Sequence, residues 1–302
     1  METTGREDGF RSGFISIIGW TNVGKSTLLN RLLGEKIAII SKKPQTTRNR
    51  ILGIKNTQRA QMIFLDTPGI HRAKSQLNCF MVKEAKKTYG EVEIILLMTE
   101  ANTPIDDRDS FVIETLEKVK TPVIMAINKI DLVKKDCLLL LMNKLRKMYN
   151  FKKIIPISAL SGEGVDRLTE EVEKLLPFGP RYFPEDMITD LPERFIVAEI
   201  IREKIFNLTS QEIPYSVAVL VDDFKEKEDI NTIIIRATIH VEKPSQKGML
   251  IGKNGRMLKE VGSLARRDME NLLGAKVYLE LWVRVEKGWS KDPRALRKLG
   301  YR

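Results

Sequence analysis

The chain has 302 residues, a net charge of +11 from 51 Lys+Arg against 40 Asp+Glu, and 42% hydrophobic residues. That length suits two ordinary domains or one large one, and the apolar share excludes a largely disordered chain. Two cysteines, Cys79 and Cys137, with only His71 and His240 beside them, exclude a disulfide framework and a zinc site. The polar start METTGREDGFRSG and the lack of a long apolar run predict a soluble, cytoplasmic protein in a reducing compartment. Charge is uneven: residues 240–302 carry +8 and residues 191–239 carry −3. A basic quarter of this kind suggests contact with a polyanion through one surface, against the plainer reading of a solubilising mixture.

The first predicted strand, Phe14–Ile18, runs into GWTNVGKST and a helix over Lys25–Leu33. Gly19, Gly24, Lys25 and Ser26 stand in G-x-x-x-x-G-K-S spacing, which turns backbone N–H groups and a helix N-terminus onto phosphates. Lys25 can reach the β and γ phosphates, and the Ser26 hydroxyl can ligate Mg²⁺. In the polar KKPQTTRNR that follows, a threonine can join Mg²⁺ when the γ-phosphate is present; Thr46 and Thr47 both fit, and Thr47 is preferred. Strands over Ile51–Ile54 and Met62–Leu65 meet across Asn56–Ala60, too short for a helix, so they form an antiparallel hairpin. Asp66-Thr67-Pro68-Gly69 ends the second of them: Asp66 can hold Mg²⁺ through water, and the Gly69 N–H can sense the γ-phosphate. Ile70 stands where many GTPases carry a water-orienting glutamine, so slow hydrolysis is expected, and His71 reads as a bystander.

A helix over Ser75–Thr88, a strand over Ile94–Met98 and a helix over Asp107–Val119 come next. The strand Val123–Ile127 leads into Asn128-Lys129-Ile130-Asp131, where the Asp131 carboxylate can accept from guanine N1–H and its amine together; adenine offers neither. The Leu and Met residues of the helix Cys137–Met148 read as core rather than a membrane-binding face. After the strand Ile154–Ile157, Ser158-Ala159-Leu160 can offer the Ala159 N–H to guanine O6, and a helix over Val165–Leu176 closes the series. Near-continuous apolar strands alternating with helices predict a three-layer α/β domain.

Pro177, Pro180 and Pro184 then predict a linker of limited flexibility. Beyond it, a helix over Phe195–Phe206, alternating strands at Val217–Val221, Ile233–Val241 and Val277–Val285, and a glycine-interrupted helical stretch Met249–Asn271 make a small α+β domain. DDFKEKEDIN is expected to turn the chain between the first two strands. Gly252, Lys253, Asn254, Gly255 and Arg256 form a G-x-x-G loop of the kind that clamps about four unpaired nucleotides. Lys253 and Arg256 can meet phosphates, and Arg266 can extend the basic face. Trp282 could stack a base, but the favoured reading has it covered by the tail GWSKDPRALRKLGYR.

NVGKSTLLN, PQTTRNR, DTPGIH, NKID, SALSGEGV, EIPYSVAV, IGKNG and LWVRV-x-x-x-W together closely resemble the Era family of ribosome-associated GTPases, over nearly the whole chain. The resemblance implies a P-loop GTPase domain with a mixed sheet over 1–180, a linker over 181–192 and a type II KH domain with a C-terminal tail over 193–302. It implies GTP/GDP and Mg²⁺ binding by Gly19, Asn22, Val23, Gly24, Lys25, Ser26, Thr27, Thr47, Asp66, Gly69, Asn128, Lys129, Asp131, Ser158, Ala159 and Leu160. Catalysis would fall to Lys25, Thr47, Asp66 and Gly69, with Asn22 matching an asparagine linked to activating K⁺. It further implies a monomer that binds the 3′ end of small-subunit rRNA and the 30S subunit during assembly, with GTP ordering 43–50 and 67–75 and the domains rearranging about 177–192. Some members are reported near the inner membrane, on its cytoplasmic face. Thr21 departs from the family, which often has proline there. The alternative, a GTPase of tRNA modification or another RNA-remodelling process, would need a modification domain or a second phosphate loop that the sequence lacks.

Overall fold

The computed structural model of the chain describes residues 9–41, 43, 47–70, 82–83, 85, 88–210, 212–227, 229 and 231–300. These fall into two compact units, one holding 9–37, 47–70 and the described residues of 82–190, the other 191–300 together with 38–41 and 43.

The first unit is built on a six-stranded sheet: β1 (Arg11–Gly19), β2 (Ile51–Asn56), β3 (Ala60–Asp66), β4 (Ile94–Glu100), β5 (Val123–Asn128) and β6 (Lys153–Pro156), in the order β2-β3-β1-β4-β5-β6. All neighbours are parallel except β2 and β3. The hairpin expected across Asn56–Ala60 is present, with Thr57 Oγ1 accepting from the Ala60 amide at 2.9 Å. β3 and β5 are buried along their whole length, as continuous apolar runs inside a two-faced sheet must be. Around the sheet lie α1 (Lys25–Leu33), α2 (Asp107–Glu114), α3 (Lys135–Met148) and α4 (Val165–Leu175). Each βα junction therefore delivers its loop to the carboxyl edge of the sheet, where ligands of such folds bind.

Three expectations change here. The helix Asp107–Val119 stops at Glu114 and continues as turns. The α3 leucines are only partly core: Leu145 is fully buried, but Leu139 and Leu140 are exposed, because α3 packs on the sheet by one face. Residues 181–190, expected as a linker, strap onto the sheet instead. Fully buried Gln61 accepts from the amides of Tyr182 (2.7 Å) and Phe183 (2.9 Å), and Ile54 of edge strand β2 donates to the Ile188 carbonyl at 2.7 Å. The strap satisfies an edge that would otherwise stay open. The helix expected over Ser75–Thr88 lies mostly outside the described residues, as do Thr46 and His71.

The second unit contains α5 (Glu193–Leu208), β7 (Ala218–Lys227), β8 (Thr232–Val241), α6 (Pro244–Ile251), α7 (Arg256–Leu273), β9 (Lys276–Val285) and α8 (Pro293–Lys298). The sheet order is β7-β8-β9, with β7 antiparallel and β9 parallel to β8. Ile233, Ile235, Ala237, Ile239 and Val241 alternate inward on β8 against Val261, Ala265 and Met269 of α7. Much of DDFKEKEDIN is strand rather than turn: β7 runs to Lys227, with a bulge between Val221 and Asp223. One face of that strand meets water, so a charged run can pair with β8 there. Residues 38–41 and 43 join this unit rather than the expected 1–180 domain, since the Lys43 ammonium donates to the carbonyls of Phe206 and Thr209. Among the described residues no helix is long and apolar enough to cross a membrane.

Candidate nucleotide and nucleic-acid sites

The loop after β1 and the start of α1 bring Lys25 and Ser26 beneath the ends of β1 and β3. Lys25 is buried, its ammonium donating to the carbonyls of Trp20 at 2.7 Å and Gly19 at 3.3 Å. The Ser26 hydroxyl donates to Asp66 Oδ2 at 2.7 Å and lies 2.9 Å from Thr47 Oγ1, which in turn sits 3.4 Å from the same carboxylate oxygen. Three groups separated by 40 positions in sequence thus share one oxygen cluster, with Thr47 among them and Thr46 outside the described residues.

Asp66 is 0% exposed, and its second oxygen, Oδ1, has no hydrogen-bond partner among the described residues. A buried carboxylate left half-bonded is costly unless a cation or donor completes it. Two hydroxyls and a carboxylate make an all-oxygen donor set, the kind Mg²⁺ takes. Burial pushes Asp66 up to about 6, against the opposing Lys25 charge and the Ser26 and Thr47 hydrogen bonds. Burial likewise lowers Lys25 to about 8, opposed by Asp66. Both charged forms are penalised near neutrality, a pattern typical of functional sites.

The turn after Asp66 is pressed against the phosphate loop. The Ile70 amide donates to the Gly19 carbonyl at 3.0 Å, and a Cβ on Gly69 would lie 2.7 Å from Thr21 Cγ2. Thr21, where the chain departs from the family pattern, is therefore the residue that excludes any side chain at position 69. Ile70 is fully buried in the core and has no polar atom to present to water.

The base-side loops are tied together by Asn128. Its Nδ2 donates to the Val23 carbonyl at 2.8 Å, and its Oδ1 accepts from the Ala159 amide at 2.9 Å. The Ala159 N–H, expected to face guanine, is thus engaged by Asn128 here. Lys129 pairs with Glu100, while Asp131 stands exposed on a short 3₁₀ turn. Ser158 organises the following loop, its Oγ accepting from the Ser161 amide at 3.2 Å. Leu160 is exposed, and the Arg31 guanidinium donates to the carbonyls of Ala159 and Leu160. Asn22, in the left-handed region at φ 66°, and Thr27, in the first turn of α1, complete the phosphate-side residues. Glu100 and Arg31 escape sequence reasoning because neither belongs to a contiguous motif; only the register of β4 on β5, with Glu100 beside Asn128, reveals the first.

In the second unit, Gly252 (φ 72°), Asn254 (φ 54°) and Gly255 (φ 74°) form the sharp turn between α6 and α7, closed by the Gly255 amide on the Gly252 carbonyl at 3.2 Å. Three residues of positive φ in four make the glycines at its ends necessary. Lys253, Asn254 and Arg256 are exposed at the N-terminus of α7. Arg266 is not part of that cluster: it lies ten residues along the helix, roughly 15 Å away, and sits 3.9 Å from Glu270. Among the described residues the tail does not cover Trp282. The tail instead buries Trp289, whose indole donates to the Ser216 carbonyl at 3.1 Å, and leaves Trp282 64% exposed.

Known proteins place these sites in a family. Residues 14–129 match a family described as "50S ribosome-binding GTPase", and residues 212–290 match the KH domain. GTPase Era of Geotalea uraniireducens is 57% identical over 98% of this chain and 99% of its own length. GTPase Era of Syntrophus aciditrophicus is 57% identical over 97% and 95%. Two solved structures superpose with a TM-score of 0.94 and 44% identity, covering 97% of this chain and 99% of theirs. One is a single-residue variant of Aquifex aeolicus Era bound to GDP·AlF4⁻, and the other is Era with MgGDPNP and nucleotides 1506–1542 of 16S ribosomal RNA. With a phosphate loop, an oxygen cluster and a G-x-x-G turn on one chain aligned end to end with these relatives, the chain belongs to the Era family of GTPases.

Proposed function

We propose that this protein hydrolyses GTP and serves small ribosomal subunit assembly, holding the 3′ end of the small-subunit rRNA on its C-terminal unit. The observation that carries the nucleotide half is the cluster of Ser26, Thr47 and Asp66 around a buried carboxylate oxygen without a partner. In this reading Ser26 and Thr47 ligate Mg²⁺ and Asp66 holds it through water. The metal, when bound, neutralises charge on the β and γ phosphate oxygens. Lys25 leaves the loop carbonyls for the phosphates, stabilising the charge that grows on the leaving group. The Gly69 N–H meets the γ-phosphate, and the Ile70–Gly19 hydrogen bond holds that turn in reach.

Asn128 acts as a positioning residue, joining the phosphate loop to the loop at 158–160, while Asp131 accepts from guanine. No side chain at position 70 orients the attacking water, so the isolated protein turns over slowly. Asn22, in the phosphate-loop turn, would hold a K⁺ that speeds this turnover, as the family resemblance implies. For the RNA half, support comes from the exposed turn Gly252–Gly255 with Lys253 and Arg256, and from the 44% identical Era solved with 16S rRNA nucleotides. A cytoplasmic place of work follows from that partner.

Asp131→Asn tests the base assignment. Xanthine carries a carbonyl where guanine carries the amine, so the variant should lose roughly 10-fold or more in GTP affinity and gain in XTP affinity. Equal affinity of the unaltered protein for ATP and GTP would sink the assignment.

A further inference from the structure

β9 presents Tyr278, Glu280, Trp282 and Arg284 on the face opposite its apolar residues, and it is an edge strand. Tyr278 is 56% and Trp282 64% exposed. Two large aromatics on one open strand face are not needed by the fold, whose core lies on the other side. They stand four residues apart, about 13 Å along the strand, which makes two separate ring faces rather than one cluster.

The polar neighbours decide the occupant. Glu280 is engaged by Arg236 at 2.8 Å, and Asp222 accepts from Thr238, the cross-strand neighbour of Trp282, at 2.7 Å. Lys276 and Arg284, at the two ends of the stripe, are exposed and have no ion-pair partner among the described residues. A glutamate neutralised by Arg236, unpaired cations at the ends and flat rings between them suit an unpaired polynucleotide, whose bases stack on aromatic faces while its phosphates meet cations. A protein hot spot would instead need a desolvated pocket with an apolar surround.

We propose that Tyr278 and Trp282 form a second RNA-contact surface, on which unpaired bases outside the segment held at the Gly252–Gly255 turn stack. This rests on the RNA reading above. It is a different face from the turn, and it lengthens the single-stranded segment the protein recognises.

The test uses the full chain and nested single-stranded fragments of the small-subunit rRNA 3′ end, of about four and about twelve nucleotides. The longer fragment should bind at least about tenfold tighter and quench tryptophan emission. Trp282→Ala and Tyr278→Ala should each lose about five- to tenfold on the longer fragment and nothing on the shorter. Trp282→Phe, which keeps a ring, should recover most of that loss, and GTP affinity should stay unchanged throughout. The pair Lys253→Asp with Asn254→Asp should lose both fragments; if it lost neither while Trp282→Ala still lost the longer one, the turn reading would fail and the aromatic surface would stand. Unchanged affinity of Trp282→Ala for the longer fragment would overturn the proposal. So would a Trp282→Ala protein that binds RNA normally but detaches from small subunits, since that would make the surface a protein contact.

Discussion

The two candidate sites use charge in opposite ways. Around the phosphate loop, Lys25, Asp66 and Asn128 are buried and hydrogen-bonded to neighbouring elements. At the G-x-x-G turn, Lys253, Asn254 and Arg256 stand in water on a turn shaped by backbone alone. Buried charge costs stability and yields directed, specific chemistry; exposed charge costs the fold almost nothing and yields attraction that salt weakens. Substitutions in the first site should therefore move stability and binding together. Those in the second should move binding only.

The largest expected effect is that of Lys25→Ala, which removes a buried ammonium aimed at phosphates. GTP affinity should fall by about 10²–10³-fold, the worth of one or two charge-assisted hydrogen bonds, measured by calorimetric titration. Near-normal affinity would mean that the lysine is a structural cap on Trp20 and Gly19, and the contrast between the sites would collapse.

Next is the pair Lys253→Asp with Asn254→Asp. Fluorescence anisotropy with the rRNA 3′ fragment should show binding falling by about 100-fold or more, with a shallower salt dependence, because each lost phosphate contact removes roughly one unit of slope. GTP affinity and thermal stability should be unchanged. A fall in stability would show that the turn is not the purely solvent-borne site described above.

Asp66→Asn sharpens the comparison through pH. The Asp66 pKa is raised by burial, so its favourable contribution is complete below its ordinary value near 3.8 and is lost as pH rises through about 6. Lys25 is shifted the other way: its contribution is complete above 10.5 and is lost as pH falls through about 8. Between those values both groups are charged at a cost. Without nucleotide, Asp66→Asn should accordingly raise stability at pH 7–8 by up to about 3 kcal/mol, and the gain should vanish below about pH 4. Mg²⁺-dependent nucleotide binding should weaken in the same variant. Denaturant midpoints over a pH series would check it; a gain independent of pH would place its origin elsewhere.

The smallest effect belongs to Ile70. Because it is fully buried, Ile70→Ala would open a cavity costing about 2–5 kcal/mol and confuse any kinetic reading. Ile70→Val is the cleaner probe. It should cost about 0.5–1.5 kcal/mol and leave single-turnover hydrolysis within about twofold, since no polar contact is withdrawn. A large rate change would give position 70 a catalytic duty that its buried side chain does not suggest.

Much of the nucleotide site was legible because each part is contiguous in sequence and follows a strand: GKS after β1, DTPG after β3, NKID after β5. A parallel sheet with short loops then leaves those parts no other place than its carboxyl edge. The same logic exposed the G-x-x-G turn, where local backbone geometry alone demands glycine.

What the chain could not announce depends on which side of an element meets another. A strand pattern put Trp282 on the outer face of β9, yet whether the tail covers it is decided by where Trp289 docks, and that indole takes the Ser216 carbonyl instead. The proline-rich stretch after α4 read as a linker, but Gln61 holds Tyr182 and Phe183 and the edge strand β2 holds Ile188. The Leu and Met residues of α3 read as core, whereas Leu139 and Leu140 are exposed. The grouping of Thr47 with Ser26 and Asp66 likewise appears only once distant segments are folded together. Motifs and periodicity are properties of neighbouring residues, so sequence alone determined them; burial and hydrogen-bond partnership join residues far apart along the chain, and only the tertiary structure decided those.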